Sequence, residues 1–162
     1  MRMILLLLAG LLFSVPEMAR AQMQWTDFAQ LEVREKAESR PVLIFITAPW
    51  CVYCKAMKST TFKNRKLADA LNRDFYVVEL DAEKDQELRF NGKNYRYRPN
   101  GNRTGLQELA VELGTVNGQM SYPTLVFLKP GQEGKLVYPA FASAKELRKM
   151  AEYVLEQRLP VR

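Results

Sequence analysis

The chain has 162 residues, 48% of them hydrophobic and 26% charged, with a formal net charge of +6. That is the composition of one globular domain, long enough to bury a single core, and its modest positive excess reads as a solvated face. With two cysteines and no histidine, one chain cannot supply the four nitrogen or sulfur ligands of a structural zinc site.

Residues 1–21 open with Arg2, run apolar from Ile4 to Val15 and end in Ala19-Arg20-Ala21. This is the pattern of a secretory signal peptide cleaved before Gln22, leaving residues 22–162 as the domain. An uncleaved anchor is the alternative, although the apolar run is short for a spanning helix. The expected location is an oxidising compartment, a periplasm. Residues 25–39 then place Phe28, Leu31 and Ala37 among charged residues, with Thr26 or Asp27 able to cap, and predict a helix ended by Arg40-Pro41. Val42-Leu43-Ile44-Phe45-Ile46 is a continuous apolar run, as expected of a central strand covered on both faces.

Ala48-Pro49-Trp50-Cys51-Val52-Tyr53-Cys54-Lys55 follows this strand and opens a helical segment. The N–H groups at a helix start are unpaired and carry partial positive charge, so a thiol there ionises more readily than a free one. Cys51 occupies that start. Cys54 lies one turn on, on the same face, where it can attack a mixed disulfide formed at Cys51. A purely structural disulfide is the alternative, but so short a loop removes little unfolded-state entropy. The helix over residues 52–71 is expected to break near Ser59-Thr60-Thr61-Phe62, where hydroxyl and β-branched side chains compete with helical bonding, and to restart at Asn64. Lys55 and Lys58 on its first turns read as solvated surface.

A strand is predicted over residues 75–80, left through Asp81-Ala82-Glu83. Within residues 85–105, Asn91-Gly92 is the pair favoured in a tight hairpin turn, so a short surface hairpin is expected. Its Arg and Tyr residues form too short a basic-aromatic mixture to indicate nucleic-acid binding. Residues 106–113 predict a helix with Leu106, Leu109, Ala110 and Leu113 on one face, stopped by Gly114. Ser121-Tyr122-Pro123-Thr124 precedes the strand-like run 124–128. A last strand over residues 135–138 and an amphipathic helix over 144–157, through Leu147, Met150, Ala151, Val154 and Leu155, close the chain.

Trp50-Cys51-x-x-Cys54-Lys55 after a hydrophobic strand, together with Tyr122-Pro123 before a later one, resembles the thioredoxin superfamily from about Trp25 onward. The resemblance implies an α/β thioredoxin fold, a central mixed β-sheet flanked by helices, with residues 85–105 as a hairpin-containing insertion. It implies a thiol-disulfide oxidoreductase with Cys51 as nucleophile and Cys54 as resolving thiol. It also implies a cis Pro123 beside the cysteine pair, with Trp50, Tyr53, Tyr122 and Pro123 as the docking surface. No cofactor is needed, because the dithiol carries the electrons. The expected partners are cysteine-containing proteins and a membrane electron-transfer protein, and the expected state is a monomer. A disulfide-forming oxidase and a non-catalytic binding module or chaperone stay open as alternatives. Val52 and Tyr53 bring no positive charge between the cysteines, so the expected potential lies within roughly −270 to −200 mV. The chain departs from the family at Phe45, where many thioredoxins bury an aspartate that moves the resolving thiol's proton; Glu79 is the candidate substitute.

Overall fold

The computed structural model describes residues 22–101, 104–130 and 134–157, so the signal-peptide expectation for residues 1–21 lies outside the described residues. In chain order the elements are α1 (Phe28–Ala37), β1 (Val42–Thr47), α2 (Val52–Ser59), α3 (Arg65–Asp74) and β2 (Tyr76–Asp81). Four short strands follow, β3 (Leu88–Phe90), β4 (Lys93–Tyr95), β5 (Tyr97–Gly101) and β6 (Thr104–Gln107). The chain continues through α4 (Glu108–Gly114), β7 (Thr124–Leu128), β8 (Lys135–Tyr138) and α5 (Ala144–Glu156).

The central sheet has the order β2-β1-β7-β8. β1 runs parallel to β2 and antiparallel to β7, so the sheet is mixed. All six residues of β1 are buried, the consequence of a strand with helices on both faces. Alternation along the strands divides the core. Leu43, Phe45, Val77, Leu125 and Phe127 meet Met57, Leu67, Leu71, Leu147 and Val154 from α2, α3 and α5. Val42, Ile44, Ile46, Val78 and Val126 meet Phe28, Leu31, Leu109 and Leu113 from α1 and α4. Ahead of α1, Trp25 bridges Val77 in parallel and extends the sheet beyond β2.

The expected helix break is present, with its expected cause. Ser59 and Thr60 hydroxyls both donate to the Ala56 carbonyl, at 3.0 and 2.7 Å, and α2 stops. A single 3-10 turn, Thr61–Lys63, turns Phe62 onto Phe45 and Trp25. Asn64 then caps α3 by accepting from the Leu67 N–H at 3.1 Å.

Four expectations are corrected. The insertion holds two hairpins rather than one. The first, β3–β4, turns through Asn91 (φ 49°) and Gly92 (φ 74°) as its sequence requires. The second, β5–β6, takes Leu106 out of the predicted helix; Gly105 has no Cβ, which lets β6 close on Tyr97, since a Cβ there would lie 2.5 Å from the Tyr97 ring. Helix α4 therefore starts at Glu108, with the Gln107 side chain accepting from the Leu109 N–H at 2.6 Å. Gly114 does not stop α4 by a left-handed turn but lets its last turn sit on β1, because a Cβ would lie 2.7 Å from Ile46 Cδ1. Leu155 and Ala37, assigned to apolar faces, are exposed, since each falls at the fraying end of its helix.

Candidate active site

At the end of β1 the chain turns through Ala48-Pro49-Trp50, closed by the Cys51 N–H donating to the Ala48 carbonyl at 3.0 Å. This turn makes Cys51 the N-cap of α2. Its backbone is extended (φ −69°, ψ 104°), and its Sγ accepts from the Cys54 N–H at 3.0 Å. Cys51 and Cys54 are joined in a disulfide, with S–S 2.07 Å and Cα–Cα 5.3 Å. Both cysteines are only 2% exposed, whereas Trp50, Val52 and Tyr53 around them are 64%, 72% and 65% exposed. The arrangement is a covered sulfur pair inside an exposed apolar rim.

Of the sequence-predicted neighbours, Trp50, Tyr122 and Pro123 come together and Tyr53 stands apart in solvent. The Trp50 ring packs edge-on to Tyr122, with centroids 5.6 Å apart. Its indole N–H donates to both Glu83 oxygens, at 2.9 and 3.0 Å. Burial pushes the half-buried Tyr122 phenol up to about 12, aided by the Glu83 and Asp81 carboxylates, so it stays a neutral group. The Tyr122–Pro123 bond is cis and Pro123 is buried. The turn holding it is tied down by Thr124 Oγ1 donating to the Ser121 carbonyl at 2.7 Å and Ser121 Oγ to the Pro139 carbonyl at 3.3 Å. Sequence reasoning missed one member of this neighbourhood, Glu83: as the end of Asp81-Ala82-Glu83 it marks only a strand exit, and no local pattern ties it to Trp50.

Below the sulfurs, Phe45 fills the strand position with an aromatic ring, 0% exposed and 5.0 Å from the Phe62 ring. Glu79 is its register partner on β2, hence on the same face of the sheet. Lys58, one helical turn beyond Cys54, donates to both Glu79 oxygens at 2.7 and 3.0 Å, and Thr47 Oγ1 adds a longer contact at 3.4 Å. The carboxylate nearest in sheet register to the Phe45 site is therefore clamped to the helix that carries both cysteines.

A helix-start cysteine pair on a four-stranded mixed sheet, in a core cluster against which Tyr122 packs, defines a thioredoxin-like protein. The sequence matches the thioredoxin-like domain family over residues 29–155, and the chain belongs to that family. It is 28% identical over 118 residues to the disulfide bond reductase DsbH of Chlamydia pneumoniae, a match covering 72% of this chain and 61% of that protein's length. In solved structures it is similar in fold to a DsbH oxidoreductase (TM-score 0.57, 17% identity, 90% of this chain and 94% of that one). It is likewise similar to a thioredoxin from Thermus thermophilus (TM-score 0.54, 20% identity, 83% and 88% covered). Among the described residues no helix is long and apolar enough to cross a membrane.

Proposed function

We propose that this protein is a thiol-disulfide oxidoreductase that reduces disulfides of exported, periplasmic proteins through Cys51 and Cys54. The observation that carries the proposal is Cys51 at the N-cap of α2 with its sulfur already accepting the Cys54 N–H, in the cluster against which Tyr122 packs. In the reduced protein the same N–H and the helix start stabilise a Cys51 thiolate. That thiolate attacks one sulfur of a substrate disulfide; the substrate S–S bond breaks, one substrate thiolate leaves, and a Cys51–substrate disulfide forms. Cys54, deprotonated, then attacks Cys51 Sγ, the second substrate thiolate leaves, and two electrons have passed to the substrate. Glu79, held by Lys58 beside the Phe45 site, is the group we assign to take the Cys54 proton. Trp50, Tyr53, Tyr122 and Pro123 form the surface against which the substrate segment docks.

The direction of net flow is supported by the reductase name of the 28%-identical relative and by the uncharged Val52 and Tyr53 between the cysteines. Reduction in an oxidising compartment requires renewal of the dithiol, which we assign to a membrane electron-transfer partner. Residues 1–21 would direct export, and the exported domain, residues 22–162, would act as a monomer. The test has two arms. Cys54→Ala should accumulate mixed disulfides on non-reducing gels and Cys51→Ala should not; equal trapping overturns the assigned roles. Equilibration with glutathione buffers should place the potential within roughly −270 to −200 mV, and a value above about −150 mV overturns the reductase reading in favour of an oxidase.

A further inference from the structure

Tyr122–Pro123 sits at the start of β7, on one flank of α2. The other flank, toward β2, carries a separate groove of about 780 Å³ between the helix and the N-terminal segment that bridges β2 at Trp25. Its apolar wall is Met23, Trp25 and Phe62, and its rim is Lys55, Lys58 and Lys63. Lys55 lies four residues after Cys51, one turn along the same face of α2, so the groove starts one helical turn from the cysteine pair, which does not line it, and runs to the helix break. Among the described residues no acidic side chain lines it. Lys58 is engaged by Glu79, but among the described residues neither Lys55 nor Lys63 has a carboxylate within 4.0 Å. Two further acidic groups near the site, Asp81 and Glu83, act on Trp50 and Tyr122 instead. Trp25 is 37% exposed here although its ring packs against Phe62 at 4.9 Å.

We propose that this groove is a second docking surface, taking an acidic segment with an aromatic or aliphatic side chain from the same protein partner whose disulfide reacts at Cys51. This rests on the redox reading above and adds to it the charge class of the partner. Charge complementarity favours that occupant: two lysines with no carboxylate partner among the described residues flank an apolar wall, so a carboxylate pair would meet Lys55 and Lys63 while its apolar neighbour covers Trp25. The single-turn spacing from Cys51 to Lys55 puts such a segment within reach of the groove while its disulfide reacts.

The test uses three disulfide peptides identical except for the flank, Glu-Glu-Phe, Lys-Lys-Phe and Glu-Glu-Ser, with neutral hydroxyethyl disulfide as the control. At low ionic strength the Glu-Glu-Phe peptide should be reduced about tenfold faster than the Lys-Lys-Phe peptide, from two surface ion pairs. It should also outpace Glu-Glu-Ser. Lys63→Glu should bring the acidic-to-basic ratio to within about twofold and leave the control unchanged, and high salt should narrow the ratio as screening shortens to about 3 Å at 1 M. Equal rates for acidic and basic peptides, or a preference that survives Lys63→Glu, overturns the proposal.

A second readout does not depend on redox chemistry. The chain has two tryptophans, so Trp50→Phe leaves Trp25 as the single emitter. Alkylated Glu-Glu-Phe peptide should then shift Trp25 emission, and the shift should be lost with Lys63→Glu. If the shift occurs while hydroxyethyl disulfide is not reduced, the groove stands and the redox reading falls. If the control is reduced with no shift and no peptide preference, the groove falls alone. A shift seen only once residues 1–21 are removed would assign the groove to the chain's own leader and overturn the partner proposal.

Discussion

The face of the sheet covered by α2, α3 and α5 and the face covered by α1 and α4 bury comparable sets of aliphatic and aromatic side chains, yet both cysteines lie on the first. The difference lies at the edges of the packing. On the first face the core runs out to a helix start, so buried Phe45, Phe62 and Met57 continue directly into Cys54 and Cys51. On the second face the helix ends are closed by local polar clamps. Lys93 Nζ and the Tyr95 hydroxyl donate to Glu112 at 2.6 and 2.8 Å, and Lys135 Nζ donates to the Glu112 and Leu113 carbonyls at 2.6 and 2.9 Å. Lys93 holds the Glu112 carboxyl below the ordinary range, and Tyr95 is pushed up by burial and then by Glu112. One face leaves its helix start open for chemistry; the other satisfies its last turn internally.

The sharpest separation of the two faces is chemical. Cys51→Ala is expected to reduce peptide-disulfide exchange to background while leaving thermal stability nearly unchanged, because the closed loop spans only three residues in sequence. A large fall in melting temperature would show that the pair serves the fold instead.

Next in size are core truncations. Phe127→Ala on the first face should cost about 3–5 kcal/mol, and Leu109→Ala on the second about 2–5 kcal/mol, both side chains being 0% exposed. At temperatures where each variant stays folded, Leu109→Ala should keep its exchange rate within about twofold, since it touches only the second core. Denaturant midpoints paired with exchange rates check this; an exchange defect in Leu109→Ala would break the division between faces.

Gly114→Ala should destabilise by about 1–3 kcal/mol, because the added methyl must displace Ile46 Cδ1 from 2.7 Å. A neutral or stabilising result in the same denaturant assay would mean that α4 shifts freely on β1.

The smallest effect concerns Tyr122. Its ionisation rises from 10.0 to about 12 in the fold, so the associated stability is fully present below 10 and is lost as pH rises through about 12. Ultraviolet difference titration should lose one late-ionising phenol in Tyr122→Phe while the raised Tyr95 phenol remains. Ionisation of that phenol at the ordinary value would place Tyr122 in solvent and dissolve its contact with Trp50.

Several features were legible in the sequence because their causes are local. The buried run Val42 to Ile46 declares a two-sided strand, the hydroxyl cluster at Ser59-Thr60-Thr61 a helix break, Asn64 a cap and Asn91-Gly92 a left-handed turn. At the candidate site, the cysteine spacing was readable for the same reason: two residues one helical turn apart are neighbours whatever the rest of the chain does. The second hairpin was missed because Gly105 reads as a loop residue until Tyr97 is known to lie against it. The Asn117-Gly118 turn, with φ of 51° and 77°, carries the same residue pair as the first hairpin but joins only an isolated bridge between Val116 and Gln119.

By itself the sequence determined the order of the elements outside residues 85–107, the break after α2 and the Asn64 cap of α3, and the placing of Cys51 and Cys54 at a helix start, since each depends on residues within a few positions. Only the tertiary structure decided that Glu83 would hold Trp50, 33 residues away, that Lys58 would clamp Glu79, 21 residues away, and that Gly114 would serve a strand contact rather than a helix stop. It also decided that Trp25 and Lys63 would share one groove. These pairings arise where the twisted sheet sets β2 beside β1 and the broken helix lays its two halves across them. No pattern in a single segment encodes the distance between surfaces contributed by separate elements.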